Sequence, residues 1–178
     1  MLYTILYLLI LFIISLSYSS LLSLMTFGVG EKTFFPSVYK TSIDTARNEH
    51  SDYYKSLLAT TIGSYITPVV LFILLVIEIG NKRIKNSFVN HWEPILGLFI
   101  LSILIILALG IILAVYCNKE NTFTYNNSNQ EYNYPMVTTF AYLIFFIIFG
   151  SLYIHCLKQE EKGSALLAFN DMNTFKRF

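Results

Sequence analysis

Charge is what this 178-residue chain has least of: 13% of its residues are charged, against roughly 25% in a soluble globular domain. Combined with 55% hydrophobic residues and a mean hydropathy of +0.59, that shortage excludes a soluble enzyme domain and a disordered chain. Twelve basic residues face eleven acidic ones, for a net charge of +1. No basic surface for nucleic acid follows from that balance. Two cysteines are too few for a disulfide-built secreted scaffold. Glycine and proline are scarce as well, with 8 and 4 residues, and no linker is rich in Gly or Ser. Three familiar motifs of catalysis are missing: the phosphate-binding G-x-x-x-x-G-K-[ST], the nucleophile elbow G-x-S-x-G and the zinc-binding H-E-x-x-H.

What the chain does have is long apolar runs. A bilayer core of about 30 Å needs roughly 20 apolar residues per helix. Four stretches meet that length, at about 2–27, 56–79, 95–117 and 136–157. The first, third and fourth carry no charged residue, and the second carries one, Glu78. The runs are continuous rather than alternating, which selects helices over barrel strands. The predicted fold is all-α, a four-helix transmembrane bundle in one domain over 1–157, with a short tail at 158–178. The first run lacks a basic leader and exceeds the 7–15 residues of a signal-peptide core. It is therefore expected to remain as a membrane helix, although Ser15, Ser17, Ser19 and Ser20 leave room for cleavage. The stretch 163–169 is mildly apolar and predicts either a short interfacial helix or a frayed end.

Basic residues set the expected orientation. Seven of them, Lys82, Arg83, Lys85, Lys158, Lys162, Lys176 and Arg177, fall in the second connection and the tail. Five, Lys32, Lys40, Arg47, Lys55 and Lys119, fall in the first and third connections. Both termini are therefore expected on the cytoplasmic side or its equivalent. The sequon at Asn126, a possible glycosylation site, falls on the opposite side. Cys117 ends the third run and Cys156 lies near the end of the fourth. Four crossings put them on opposite faces, so they are not expected to pair.

The second run holds the clearest internal pattern. Ser56, Ala59, Thr60, Gly63, Ser64 and Thr67 recur at helical spacing and form one stripe. Small and hydroxyl residues let helices approach closely in lipid, so this face is expected to pack against another helix. Gly110 and Ala114 repeat the small-residue spacing on the third run. Pro68 removes a backbone donor and crowds the Ser64 carbonyl, so a kink is expected there. The stripe continues to Glu78, an acid close to headgroup depth and a possible ion or proton site. His50, His91 and His155 show no spacing for metal or haem ligation.

The segment Arg47, Asn48, Glu49, His50, Ser51, Asp52, Tyr53 resembles the glutathione-binding segment of the four-helix eicosanoid and glutathione enzymes. The third run has no Arg, which such a site also needs, so the activity is not carried over. No enzyme activity, catalytic residue, cofactor or metal is expected. The expected partners are the lipid bilayer and other membrane-protein subunits, with no nucleic acid. The leading functional expectation is a non-catalytic accessory subunit of a larger integral membrane complex. Phe 15, Tyr 13 and only three Arg have the skew of an A/T-rich genome, which favours a mitochondrial respiratory-chain assembly in the inner membrane. The alternative is a stand-alone tetraspan adaptor of the plasma membrane or secretory pathway. A proton- or ion-conducting subunit using Glu78 is the third expectation.

Overall fold

The computed structural model describes residues 2–27, 44, 47–49, 51–81, 92–124 and 134–175. Its helices are α1 (Leu2–Phe27), α2 (Asp52–Ser64), α3 (Ile66–Asn81), α4 (Trp92–Thr124) and α5 (Tyr134–Phe175). No strand occurs among the described residues. Helices α2 and α3 are two halves of one span, interrupted at Tyr65. Four stretches are then long and apolar enough to cross a bilayer: Tyr3–Phe27, Asp52–Gly80, Trp92–Cys117 and Tyr134–Gly163. The chain is an integral membrane protein of the all-α, four-helix class.

Local chemistry sets the helix ends more than hydropathy does. The second span starts at Asp52, ahead of its apolar run, because Ser51 caps it. The Tyr54 N–H donates to Ser51 Oγ at 3.2 Å, and Asp52 places a negative charge at the positive end of the helix dipole. Helix α5 opens at Tyr134 with Pro135 in its first turn, where the missing N–H costs nothing. At its other end α5 does not stop at 157. It runs unbroken to Phe175, through the stretch expected to be a separate interfacial helix or a frayed end. The residues that follow the apolar run, Lys158 to Lys162 and Ala165 to Ala168, are strong helix formers, and one glycine, Gly163, costs only about 1 kcal/mol.

Helix α1 packs along α5, α2 and α3, and α4 packs along α5 and α2. Chain neighbours are therefore spatial neighbours around the bundle. The buried face of α1 runs Thr4, Leu8, Leu11, Ser15, Tyr18, Ser19, Leu22, Met25 and Thr26, with the alternating three- and four-residue spacing of a helix-packing seam. The opposing face of α5 runs Thr139, Tyr142, Phe146, Tyr153 and Leu157. Tyr18 stacks on Tyr142 with ring centroids 4.1 Å apart. Outward positions such as Leu6, Ile13, Val69, Leu101 and Ile148 are exposed and apolar, as a lipid-facing surface requires.

The serine patch of α1 divides by face. Ser15 and Ser19 are buried, whereas Ser17 and Ser20 are exposed. Trp92 lies under Lys158, and Gly110 lies against Thr139 and Phe140, so α4 and α5 are antiparallel. That register puts Cys117 beside the start of α5 and Cys156 beside the start of α4. The two thiols are roughly 35 Å apart along the bundle at 1.5 Å per residue.

Candidate functional site: a cleft beside the broken span

The break in the second span begins with Pro68. Proline has no N–H, so the Ser64 carbonyl four residues earlier loses its helical donor. In a bilayer such a carbonyl has no water to turn to. Helix α1 supplies the replacement: Ser19 Oγ, which also lies 3.1 Å from the Ser15 carbonyl of its own helix, donates to the Ser64 carbonyl at the shorter distance of 2.9 Å. Nearby, Thr26 and Thr61 share a hydroxyl–hydroxyl hydrogen bond of 2.6 Å. The Arg47 guanidinium donates to the Thr26 carbonyl at 2.9 Å and lies over the Tyr54 ring at 5.5 Å. Thr26 is in the last turn of α1, where carbonyls lack intrahelical donors and a cation is favoured.

These bonds hold α2 and the break against α1. Toward the other side of the bundle the two halves part company. Helix α2 packs on α4, while α3 packs on α1 instead. A cleft opens where α3 leaves α4. Its inner wall is Leu11, Leu71, Ile95, Phe146 and Tyr153, all buried. Val70, Leu74, Leu98, Phe99 and Ser102 form the rim and are partly or fully exposed. About 350 Å³ of space lies inside, the part open at the mouth included.

Two of the polar groups on this wall differ in state. The Ser102 hydroxyl donates back to the Leu98 carbonyl at 2.9 Å. The Tyr153 ring is 2% exposed, and its hydroxyl has no hydrogen-bond partner among the described residues. Glu78, half-buried near the end of α3, interacts electrostatically with Tyr153. Lys158 sits 4.7 Å from the centre of the Trp92 ring, a pairing suited to the membrane–water boundary. The cleft is thus lined almost wholly by hydrocarbon, and Tyr153 is the lining residue whose hydroxyl lacks a hydrogen-bond partner among the described residues.

Of the residues singled out by spacing, Ser56, Thr60, Ser64 and Thr67 are buried. Gly63 is half-buried, with Leu109 Cδ1 3.6 Å from the place of a side-chain Cβ. Ala59 is exposed, because the buried side of α2 is turned toward Tyr53, Leu57 and Thr61. Ser56 and Thr60 donate within their own helix, to the Tyr53 and Ser56 carbonyls, both at 2.8 Å. The side-chain bonds from this span to α1 come from Thr61 and Tyr65, both off the expected stripe, whose hydroxyls pair with Thr26 at 2.6 Å and Ser23 at 2.8 Å. On α4, Gly110 is buried against Phe140 and Thr139, and Ala114 is half-buried. The tightest glycine is on α5: a Cβ on Gly150 would fall inside the Phe99 ring. His155 is exposed, and Asn126, His50 and His91 lie outside the described residues. Among the described residues no three His, Cys, Asp or Glu side chains come together as a metal site would require.

Sequence reasoning missed the buried hydroxyls of α1. Ser15 and Tyr142 share a hydrogen bond of 2.8 Å, and Tyr18 and Thr139 one of 2.9 Å. Thr4 donates to Glu160 at the end where α1 begins. The signal was present, since Thr4, Ser15, Ser19 and Thr26 follow the spacing of one helix face. No protein-family model, curated protein or solved structure matches this chain.

Proposed function

We propose that this chain is a non-catalytic structural subunit of a larger integral membrane complex. The observation that carries the reading is the use of the buried hydroxyls. Ser15, Tyr18, Ser19, Thr26, Thr61, Thr139 and Tyr142 bond one helix to the next. In lipid, such bonds and close packing replace the hydrophobic force that joins helices in water. These hydroxyls are thus committed to holding a fixed shape. Helix α4 buries the smallest share of its apolar stretch of the four spans, and Leu101, Leu104, Ile111 and Val115 face outward. Its outward residues toward the Cys117 end, Ile111 and Val115, are the natural face for neighbouring subunits.

The mitochondrial inner membrane, within a respiratory-chain assembly, is the location we favour. The support is compositional: 15 Phe and 13 Tyr beside three Arg. The second reading is a tetraspan adaptor of the plasma membrane or secretory pathway, and its support is the sequon at Asn126. Gentle extraction from the native membrane, native electrophoresis and mass spectrometry test the proposal. The chain should migrate far above its own 20.5 kDa, with other membrane polypeptides in fixed ratio. Migration as a single chain without partners contradicts it. A glycan on Asn126, removed by a glycosidase, would move the protein to the secretory system.

A further inference from the structure

We propose that the cleft between α3 and α4 holds one acyl chain of a bilayer glycerolipid, whose ester carbonyl accepts a hydrogen bond from Tyr153. This inference stands apart from the subunit reading, since it needs only the bundle and its bilayer. The mouth is the first reason. Leu98 is 44% exposed at the rim, and the opening faces sideways between two membrane-spanning helices. In a bilayer, an opening at that side of a spanning helix pair meets acyl chains.

The walls are the second reason. Leu11, Leu71, Leu74, Ile95 and Phe146 offer hydrocarbon a matching surface, and an unfilled gap there would forfeit dispersion contacts. The cleft is also too small for a protein helix. From Thr67 to Leu74 it extends about 10 Å at 1.5 Å per residue, and a helix of that length and about 10 Å across needs roughly 800 Å³. Even with the part open at the mouth counted, the space is about 350 Å³.

Tyr153 is the third reason. Its hydroxyl is buried and without a hydrogen-bond partner among the described residues, a costly state where no water reaches. Lys158 and Trp92 mark the boundary with the headgroups. Tyr153 is five residues further in, about 7.5 Å along the helix. That is the depth of the ester linkages just beneath the headgroups. A lipid there brings an acceptor to Tyr153 and a chain to the cleft together.

Native mass spectrometry of the full chain, extracted from phosphatidylcholine vesicles, tests this. The parent should retain one phosphatidylcholine per chain through delipidation. Tyr153→Phe keeps the ring and removes the donor, and retention should weaken about two- to tenfold, the value of one hydrogen bond. Leu74→Trp fills the cleft and should abolish retention, while Ile148→Trp on the outer surface should leave it unchanged. Tyr153→Phe is conservative enough to fold, and an unaltered melting curve verifies that. No retained lipid in the parent, or equal retention in all variants, overturns the proposal. So does a photo-reactive benzoylphenylalanine at Leu98 that captures a polypeptide in the native membrane instead of a lipid.

Discussion

At the scale of single residues, three side chains carry defined and separable loads. Ser19 replaces the donor that Pro68 removes, so Ser19→Ala strands the Ser64 carbonyl in an apolar interior. The expected loss is about 1 kcal/mol, since hydrogen bonds between membrane helices are worth roughly 0.6 on average and up to about 1.7. Thermal unfolding in micelles would read it, with Ser17→Ala as the exposed control that should change nothing. Glu78 lies at the end of α3 and interacts with Tyr153. If its task is to anchor that end, Glu78→Gln should leave assembly and activity of the complex close to parental. A large loss of proton or cation flux in a normally assembled Glu78→Gln complex would instead make Glu78 a conducting residue, because Gln neither titrates nor holds a cation well. Gly150 is where α5 meets α4 most closely. Gly150→Ala forces the Phe99 ring away from its stacking on Phe146, whose centroid is 4.9 Å distant. The cost should be about 1–3 kcal/mol, the scale of overpacking, and Phe99→Ala in the same chain should recover much of it. Gly63→Ala should be tolerated within about 0.5 kcal/mol, since its Cβ would meet Leu109 at ordinary contact distance.

At the scale of helices, the sequence was informative about where apolar runs lie and less so about where helices end. The four spans follow directly from hydropathy, because a bilayer demands length and apolarity before anything else. The continuation of α5 to Phe175 escaped that logic: a helix in water needs propensity, not hydropathy, and the residues after Leu157 have it. The break at Tyr65 was half legible. Pro68 announced a kink, but nothing local revealed that Ser19, 45 residues before Ser64, would repair the lost bond. The stripe on the second span was drawn from its own residues alone. Its centre lies nearer Thr61 because the partner helix decides which side is buried. The cleft was not legible at all. It arises because α2 follows α4 and α3 follows α1, a divergence that exists only between elements.

At the scale of the molecule, the account rests on an even number of crossings. The bonds along α1 and α5, from Ser15–Tyr142 to Thr4–Glu160, tie the beginning of α1 to the later half of α5 at one end of the bundle. Seven of twelve basic residues belong to that end by sequence, the ground for expecting it on the cytoplasmic side or its equivalent. The native thiols are poor reporters of sidedness, because Cys117 is buried. Single-cysteine variants at Lys40, Ser87 and Asn127, in a chain with Cys117 and Cys156 replaced by alanine, give the decisive measurement. They would be labelled with a membrane-impermeant maleimide in sealed vesicles of known orientation. Four crossings predict that Lys40→Cys and Asn127→Cys react from one side and Ser87→Cys reacts only from the other. Reaction of Ser87→Cys and Asn127→Cys from the same side would mean that α4 does not cross, and the four-span bundle would be wrong.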